Sequence, residues 1–286
     1  MPDPVYRTLY GWGRLGYFPR YERPRTFNEK VAWWLRHHGD PRLTQRADKL
    51  AVREFVASTT PWVRLPNVYA VADDAASFPF ETLPEISVLK ANHGWKQVRV
   101  LRRPFDVEAA RAAGAKWLRE RHGASGWERH YDGIQPRLFA EEYIGDPNGK
   151  LPVDYKVLVL NGQAQHITTI LDRATHARSV TFDRDWRPRP VHLAKYLGGP
   201  PNVVEPELRP PRPERLDDLL RAAESLAEDL PFVRADFYFV GGEIYFGELT
   251  FSPGAGFIPF VPASYDWFLG DRLDVGSPTD RRRRPR

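Results

Sequence analysis

The segment from Val233 to Gly256, VRADFYFVGGEIYFGELTFSPGAG, constrains the fold more than any other part of the chain. Two apolar runs, FYFV and IYF, flank a Gly-Gly pair, which is the composition of two antiparallel strands joined by a tight turn. The pattern therefore predicts a β-hairpin. The length of its loop sets the register and decides which side chains share a face.

The register of this hairpin determines where two acids lie. With a three-residue loop over 241–243, Asp236 lies directly opposite Glu248, and Arg234 lies opposite Thr250. A two-residue loop instead places the two acids on opposite faces. Carboxylates that face each other repel, and a bound Mg²⁺ is a physical reason to keep them together. The alternative is that both acids are solvated strand ends.

The composition bounds the class of protein. The chain has 286 residues, of which 42% are hydrophobic, so we expect one large domain or two intimate ones. It has no cysteine, which excludes disulfides, thiolate nucleophiles and zinc–thiolate sites. No apolar run reaches the roughly 18 residues of a membrane span. The N-terminus lacks the apolar region of a secretory signal, so we expect a cytoplasmic protein.

The basic charge of the chain is concentrated at one end. The formal net charge is +5, and the five arginines within 281–286 account for all of it. A neutral body argues against a specific nucleic-acid surface. We expect the tail to be a solvated end, and weak contact with anionic lipid or polymer is the alternative.

Helical and strand patterns alternate along the chain. A capping box, Thr26 to Glu29, starts a helix. The predicted helices cover 27–38, 48–58, 107–121 (capped by Asp106) and 214–230. The predicted strands cover 86–91, 98–101, 137–144, 154–160, 163–170 and 178–182, and a long surface connection covers 187–213. Antiparallel hairpins mixed with packed helices predict an α+β fold.

Five motifs in a fixed order carry a family resemblance. They are ADKLAVREFV (47–56), VLKANHG (88–94), AEEYI (140–144), DYKVLVLNGQ (154–163) and the hairpin 233–256. This series resembles the ATP-grasp superfamily, and in particular its TupA-like branch, associated with teichuronopeptide and capsular polysaccharide biosynthesis. The runs 24–34 and 127–144 are similar to that branch too. The resemblance extends over roughly residues 17–270.

The resemblance implies a fold in which a nucleotide lies between two α+β subdomains with antiparallel sheets. It implies a largely helical N-terminal region (1–85), a lid with a phosphate flap (86–140), a C-terminal subdomain with a metal site (141–270) and a basic tail (271–286). ATP and Mg²⁺ are the implied cofactors. The implied reaction is carboxylate–amine ligation through an acyl phosphate, joining an amino acid or acidic sugar to a cell-surface polysaccharide precursor or small peptide.

The resemblance also assigns nucleotide-binding residues. Lys49 and Lys90 resemble the lysines that contact the phosphates, and Lys156 resembles the basic residue near the phosphates or the incoming carboxylate. Asp154 resembles the acid near the ribose. The resemblance also places His93 and Gly94 at the start of the phosphate flap. It assigns the binding of adenine to one strand, with the residues Glu141, Glu142, Tyr143 and Ile144. Trp95, next in the flap, has two open interpretations, stacking on a base or sugar and stiffening the flap.

The resemblance assigns metal-binding and catalytic residues to the hairpin. Asp236, Glu248 and Thr250 match the Mg²⁺ ligands, although the family usually has an amide at the position of Thr250. Arg234 resembles the arginine that stabilises the tetrahedral intermediate, and it joins Lys156 and Lys90 as a predicted catalytic residue. The segment 252–254 resembles the loop that places the acceptor.

Three other functions remain open at this point. The first is an ATP-grasp kinase of a sugar or envelope precursor, which would use the same nucleotide site. The second is an inactive nucleotide- or glycan-binding relative, which the hydroxyl of Thr250 keeps under consideration. The third is a nucleic-acid binder that relies on the arginine tail. The sequence leaves the substrates and the oligomeric state open.

Overall fold

The computed structural model describes residues 3–37, 41–122, 128–146, 151–171, 178–193 and 210–276. The predicted arginine tail and the middle of the predicted connection, 194–209, lie outside the described residues.

Helices and strands alternate through the described residues. The helices are α1 (Asp3–Leu15), α2 (Phe27–His37), α3 (Pro41–Ala47), α4 (Val52–Thr59), α5 (Val107–Arg119), α6 (Leu216–Leu226) and α7 (Ser264–Arg272). The strands are β1 (Val68–Ala72), β2 (Ile86–Ala91), β3 (Val98–Arg102), β4 (Leu138–Glu142), β5 (Asp154–Leu160), β6 (Gln163–Leu171), β7 (Arg178–Phe182), β8 (Pro188–Arg189), β9 (His192–Leu193), β10 (Phe232–Val240), β11 (Glu243–Thr250) and β12 (Phe260–Val261). None of these helices has the length and apolar character that a bilayer crossing requires.

Two predicted helix caps are confirmed. At the start of α2, Thr26 Oγ1 accepts a hydrogen bond from the Glu29 N–H at 3.2 Å, and Glu29 Oε2 accepts one from the Thr26 N–H at 3.1 Å. Asp106 accepts a hydrogen bond from the Ala109 N–H at 2.9 Å and caps α5. These side chains satisfy backbone donors that a helix leaves unpaired at its first turn.

The predicted helix over 48–58 is wrong at its start. Residues 48–51 form a turn between α3 and α4, and α4 begins only at Val52. The cause is the Asp48 carboxylate, whose Oδ1 accepts hydrogen bonds from the N–H groups of Leu50 (2.8 Å) and Ala51 (3.2 Å). An aspartate that binds the backbone two and three residues ahead favours a turn over a continuing helix.

The smaller sheet has the strand order β1-β4-β2-β3, and all its neighbours are antiparallel. Helix α5 packs against it, and a compact apolar core fills the space between them. Leu89, Ala110 and Leu138 are fully buried in that core. This packing holds the end of β2, and therefore Lys90, in a fixed place.

The larger sheet has the order β11-β10-β5-β6-β7-β8 and is also antiparallel. One face packs on α2 and α6, where Phe232 meets the Trp34 ring at a centroid distance of 5.1 Å. Val157 and Val159 are fully buried in this core. Because strand side chains alternate between faces, Lys156 lies on the other face of β5. The mixture of helices with antiparallel sheets confirms the α+β fold class.

The register at the far end of the hairpin confirms the predicted pairs. Asp236 lies opposite Glu248, and Arg234 lies opposite Thr250. The three-residue loop is wrong, because Val240 pairs with Glu243 and only Gly241 and Gly242 form the turn. Both glycines have positive φ angles, 59° and 78°, as a two-residue hairpin turn requires.

A β-bulge at Gly247 reconciles the two-residue loop with the facing acids. Phe237 pairs with Phe246, while the neighbouring Asp236 pairs with Glu248, so Gly247 is an extra residue on β11. One extra residue reverses the alternation of the side chains that follow it. The position requires glycine, since an added Cβ would lie 2.9 Å from the backbone oxygen of Asp236.

Substituting Gly247 tests this register. Gly247→Ala should lower the free energy of unfolding by about 1–3 kcal/mol, because the new methyl group displaces the backbone that carries Asp236. Gly13→Ala is the control, since a Cβ added in α1 meets nothing within 4 Å. Urea denaturation of both variants measures the difference. Equal stabilities would contradict the bulge.

The buried imidazole of His166 makes stability depend on pH. It lies 3.0 Å from the Tyr265 hydroxyl, and burial lowers its pKa to about 3. In the unfolded chain the His166 imidazole binds a proton near pH 6.5, whereas in the folded chain it stays neutral at that pH. The contribution of His166 to the free energy of unfolding is therefore complete above that pH. It decreases toward pH 3, by up to about 1.4 kcal/mol per pH unit. Urea denaturation between about pH 7 and pH 5 should show a steeper loss for the wild type than for His166→Gln. If the wild type and His166→Gln lost stability equally between these pH values, the lowered pKa of His166 would be contradicted.

Candidate active site

A cleft of about 530 Å³ lies between the two sheets. The smaller sheet contributes Lys90 to its wall, and the larger sheet contributes Asp154, Asp236 and Glu248. Volumes of this size are typical of small-molecule sites. Of the predicted metal and phosphate residues, Lys49, Lys90, Asp236, Glu248 and Thr250 line this cavity, whereas Lys156 is not among its lining residues.

Three neighbouring strands of the larger sheet present a row of charged side chains to this cleft. Asp236 on β10 pairs with Lys156 on β5 and with Glu248 on β11. The Asp236 side chain is almost entirely buried and forms an ion pair with Lys156. Lys156 Nζ also lies 3.0 Å from Asp154 Oδ2. Lys156 thus joins two acids of the same face.

Arg234 binds Asp236 from within the same strand. Its Nε lies 2.7 Å from Oδ1 and its Nη2 lies 2.8 Å from Oδ2, so both carboxylate oxygens accept a hydrogen bond. The same Nη2 lies 3.4 Å from Glu248 Oε1. A two-point contact between guanidinium and carboxylate fixes the orientation of both groups.

The electrostatics of the row keep its buried groups ionised. Burial acts to raise the pKa of Asp236, but Arg234 and Lys156 outweigh it and hold that pKa below its ordinary value. Burial disfavours the Arg234 cation, yet Asp236 and Glu248 hold the pKa of Arg234 above its ordinary value. The row contains three acids, Asp154, Asp236 and Glu248, and two cations, Arg234 and Lys156, and Lys49 also lies close enough to Glu248 to interact with it.

Two lysines also line the cleft. Lys90 forms an ion pair with Glu141 on the neighbouring strand β4. Lys49 lies in the turn before α4, where its backbone N–H donates to Asn92 O at 3.1 Å and its Nζ donates to Gly94 O. Burial lowers the pKa of Lys49; Glu248 opposes that shift, and the nearby Lys90 adds to it. Two ammonium groups in one cleft favour an anionic ligand between them.

The residues of the predicted flap line two different cavities. Gly94 lines the cleft, whereas His93 lines a cavity of about 270 Å³ with His122. The His93 ring is buried, with Nε2 3.2 Å from Glu120 O. At Gly94 an added Cβ would lie 2.1 Å from His122 Nε2, so the His122 side chain would have to move. Trp95 is exposed at the rim of the cleft.

The predicted adenine-reading strand lies at the end of β4. Glu141 contacts Lys90, and the Glu142 carboxylate accepts hydrogen bonds from Asn67, from its backbone N–H at 3.0 Å and its side chain at 2.9 Å. The Tyr143 ring lies 5.0 Å from the Arg102 guanidinium. The described walls of the cleft do not include residues 141–144, Ile144 among them, so Glu141 reaches the cleft only through Lys90.

The structure adds residues that the sequence did not indicate. Glu128 and Tyr131 line the cleft, and so do Tyr6 and Tyr10 of α1. Glu128 lies in a segment without helical or strand periodicity, and the resemblance of 127–144 gave it no role. The helix α1 was not predicted, although Tyr6 and Tyr10 are spaced four residues apart, the spacing of one helix face.

The acids fit Mg²⁺ bound together with a nucleotide. Among the described residues no group of three or more His, Cys, Asp or Glu side chains can hold a metal. Mg²⁺ is usually held by one or two carboxylates and by phosphate oxygens and water, so Asp236 and Glu248 suffice when a nucleotide is present. A carboxylate has about four acceptor positions, which leaves Asp236 capacity beyond its contacts with Arg234 and Lys156.

Removing the lysine of the row tests its electrostatics. Lys156→Met should lower the free energy of unfolding by about 1–3 kcal/mol and raise the pKa of Asp236, because Asp154 and Asp236 lose a shared cation. Lys116→Met, at an exposed lysine 4.0 Å from Glu120, should change stability by less than about 0.5 kcal/mol. Denaturation midpoints near neutral pH compare the two variants. A Lys156→Met variant as stable as the control would overturn the assignment.

The comparisons with known proteins give one family. The family model for TupA-like ATPgrasp proteins matches residues 29–274. No curated protein sequence matches the chain.

Three of the solved structures that this chain resembles are ligases. D-alanine–D-alanine ligase from Helicobacter pylori has a TM-score of 0.45 at 14% identity, over 80% of this chain and 61% of that one. The ATP complex of the Bacillus anthracis ligase has a TM-score of 0.43 at 14% identity, over 72% and 55%. The ATP-grasp ligase PsnB with its minimal precursor has a TM-score of 0.38 at 18% identity, over 74% and 54%. The chain thus spans little more than half the length of these structures. On the match over residues 29–274, this chain belongs to the TupA-like ATP-grasp family.

Proposed function

We propose that the protein is an ATP- and Mg²⁺-dependent carboxylate–amine ligase. ATP phosphorylates a carboxylate, and an amine then displaces phosphate from the acyl phosphate to give an amide. Membership of the ATP-grasp family supports the reaction type.

One observation carries the proposal. The acids Asp154, Asp236 and Glu248 and the lysines Lys49 and Lys90 line the same cleft. Acids that attract a metal beside lysines that attract phosphates match the charge distribution of a metal–nucleotide complex.

Asp236, Glu248 and Thr250 are the proposed Mg²⁺ ligands. When bound, Mg²⁺ supplies neutralisation of the terminal phosphate charge. The Thr250 hydroxyl is a weaker ligand than an amide oxygen, so water completes the coordination in this proposal. Lys49 and Lys90 hold the phosphates from the lid side as point charges.

Arg234 and Lys156 are the proposed catalytic cations of the larger sheet. Arg234 is held in place by two hydrogen bonds to Asp236, and it stays charged. A fixed cation beside the reacting carbonyl stabilises the negative charge that develops on its oxygen. Lys156 orients the incoming carboxylate, and Lys90 acts on the transferred phosphoryl group.

In this proposal, the nucleoside part of ATP extends from the cleft to the end of β4, which the described walls of the cleft do not include. The backbone of Glu142 and Ile144 reads adenine beside Glu141 and Tyr143, Asp154 binds the ribose, and His93-Gly94 begins the phosphate flap. The reaction is placed in the cytoplasm, where ATP is available. The proposed substrates are an amino acid or acidic sugar and the amine of a cell-surface polysaccharide precursor or small peptide.

The test is ADP release with a panel of amino acids and uronic acids as carboxylates and amines. Glu248→Gln should lower turnover about 10²–10³-fold, because the variant loses an ionised metal ligand. Glu243→Gln is the control on the same strand, since Glu243 lies at the hairpin turn and contacts Arg64 at 3.0 Å. Its turnover should be unchanged.

Two results would contradict this account. Full turnover by Glu248→Gln would refute the metal assignment. A stable phosphorylated product without an amide, identified by mass spectrometry, would replace the ligase by a kinase.

A further inference from the structure

Glu128 is an acid of the cleft that none of these roles uses. It immediately precedes the short 3₁₀ turn Arg129–Tyr131. Its Oε1 accepts a hydrogen bond from the Ser252 hydroxyl, and both residues line the cleft. Burial raises the pKa of Glu128, and Ser252 and Arg7 reverse only part of that rise. The cleft therefore contains a carboxylate of raised basicity outside the charged row.

Ser252 and Tyr131 connect Glu128 to the charged row. Ser252 follows β11 and lies two residues after Thr250. Burial raises the pKa of Tyr131, and Glu248 and Glu128 add to the rise, so its hydroxyl stays neutral with both acids nearby. Glu128 is thus a neighbour of the end of the cleft where the phosphoryl group would be transferred.

The segment that carries Ser252 is held rigidly. Residues Pro253–Gly256 pack against α2, and Gly254 and Ala255 within them have left-handed φ angles of 56° and 53°. Gly256 has φ of 77°, and an added Cβ there would lie 2.9 Å from Asn28 O. The Asn28 side chain donates to Ile258 O at 2.8 Å. A hydroxyl on such a support can position a carboxylate for chemistry.

Helix α1 closes the same end of the cleft. Arg7 Nη2 donates to Ala255 O at 2.8 Å, and the Tyr10 ring meets the edge of Phe257 at a centroid distance of 5.1 Å. Tyr6 and Tyr10 line the cleft yet are 51% and 38% exposed, which leaves ring surface for a ligand. The whole helix precedes residues 29–274, the part that the family model matches.

We propose that this end of the cleft, the acceptor pocket of Tyr6, Tyr10, Glu128 and Ser252, binds the amine substrate and that Glu128 takes a proton from its ammonium group. The inference rests on the proposed ligase function. It names the amine as the ligand of the pocket, and the exposed tyrosine faces select an acceptor with a flat or apolar surface beside its amine.

The proton balance requires such a base. An α-amino group has a pKa of roughly 8, so the amine arrives mainly as ammonium near neutral pH. One proton passes to Glu128, and the nitrogen then bonds to the acyl carbon while the bond from that carbon to the phosphate oxygen breaks. The remaining surplus proton leaves with the phosphate. Glu128 releases its proton to water and returns to the carboxylate.

Hydroxylamine tests whether Glu128 acts as a base. It is mostly uncharged near neutral pH, so it does not need Glu128 to remove a proton before it attacks. The experiment supplies ATP, Mg²⁺ and the panel of amino acids and uronic acids, with either hydroxylamine or an amino acid as the nucleophile. Glu128→Gln should keep hydroxamate formation within about twofold of the wild type and lose amide formation about 10²–10⁴-fold. Glu108→Gln, at an exposed glutamate of α5, is the control and should keep both.

The outcomes separate the two proposals. Equal loss of hydroxamate and amide, or weaker calorimetric binding of a non-hydrolysable ATP analogue by Glu128→Gln, would assign Glu128 a structural role. Retention of both products would remove it from catalysis. No hydroxamate from the wild type with any carboxylate would refute the ligase function and this inference with it. If the Glu128→Gln variant forms the hydroxamate but not the amide, the result supports both the ligase function and the role of Glu128 as the base.

A second variant tests the location of the pocket. Tyr10→Ala should raise the KM for the amine about tenfold and leave the KM for ATP and the hydroxamate rate unchanged, because the acceptor is the only substrate that Tyr10 contacts in this proposal. An unchanged amine KM would place the acceptor elsewhere.

Discussion

The ionised carboxylate of Asp236 is the group around which the rest of the site is arranged. An acid this deeply buried would take up a proton unless cations held it ionised. Arg234 supplies two hydrogen bonds from its own strand, and Lys156 supplies a cation from the neighbouring one. The central position of β10, between β5 and β11, brings all of these groups to one face.

Local backbone geometry then decides whether Glu248 joins this group. The two-residue turn at 241–242 alone would direct Glu248 to the apolar face of the sheet. The bulge at Gly247 reverses the alternation, so Glu248 faces the cleft while Ile244 and Phe246 remain in the core. One glycine thereby reconciles a tight turn, an apolar core and a pair of facing acids.

The sequence predicted the fold class, most strands and the pairing of Asp236 with Glu248, because these follow from apolar periodicity and turn chemistry. It missed the bulge, since one extra residue leaves no periodic signal. It also missed Glu128 and α1. Their contacts join residues far apart in the chain, 124 positions for Glu128 with Ser252 and 248 for Arg7 with Ala255. Periodicity reports local structure and one face of an element, but not its distant partner.

The central claim is that Asp236 and Glu248 form the metal end of a nucleotide site. The most direct measurement is electron paramagnetic resonance of Mn²⁺, used in place of Mg²⁺, titrated into the protein with a non-hydrolysable ATP analogue. The account predicts nucleotide-dependent Mn²⁺ binding by the wild type and its loss in folded Asp236→Asn. Equal Mn²⁺ binding by both proteins would contradict it.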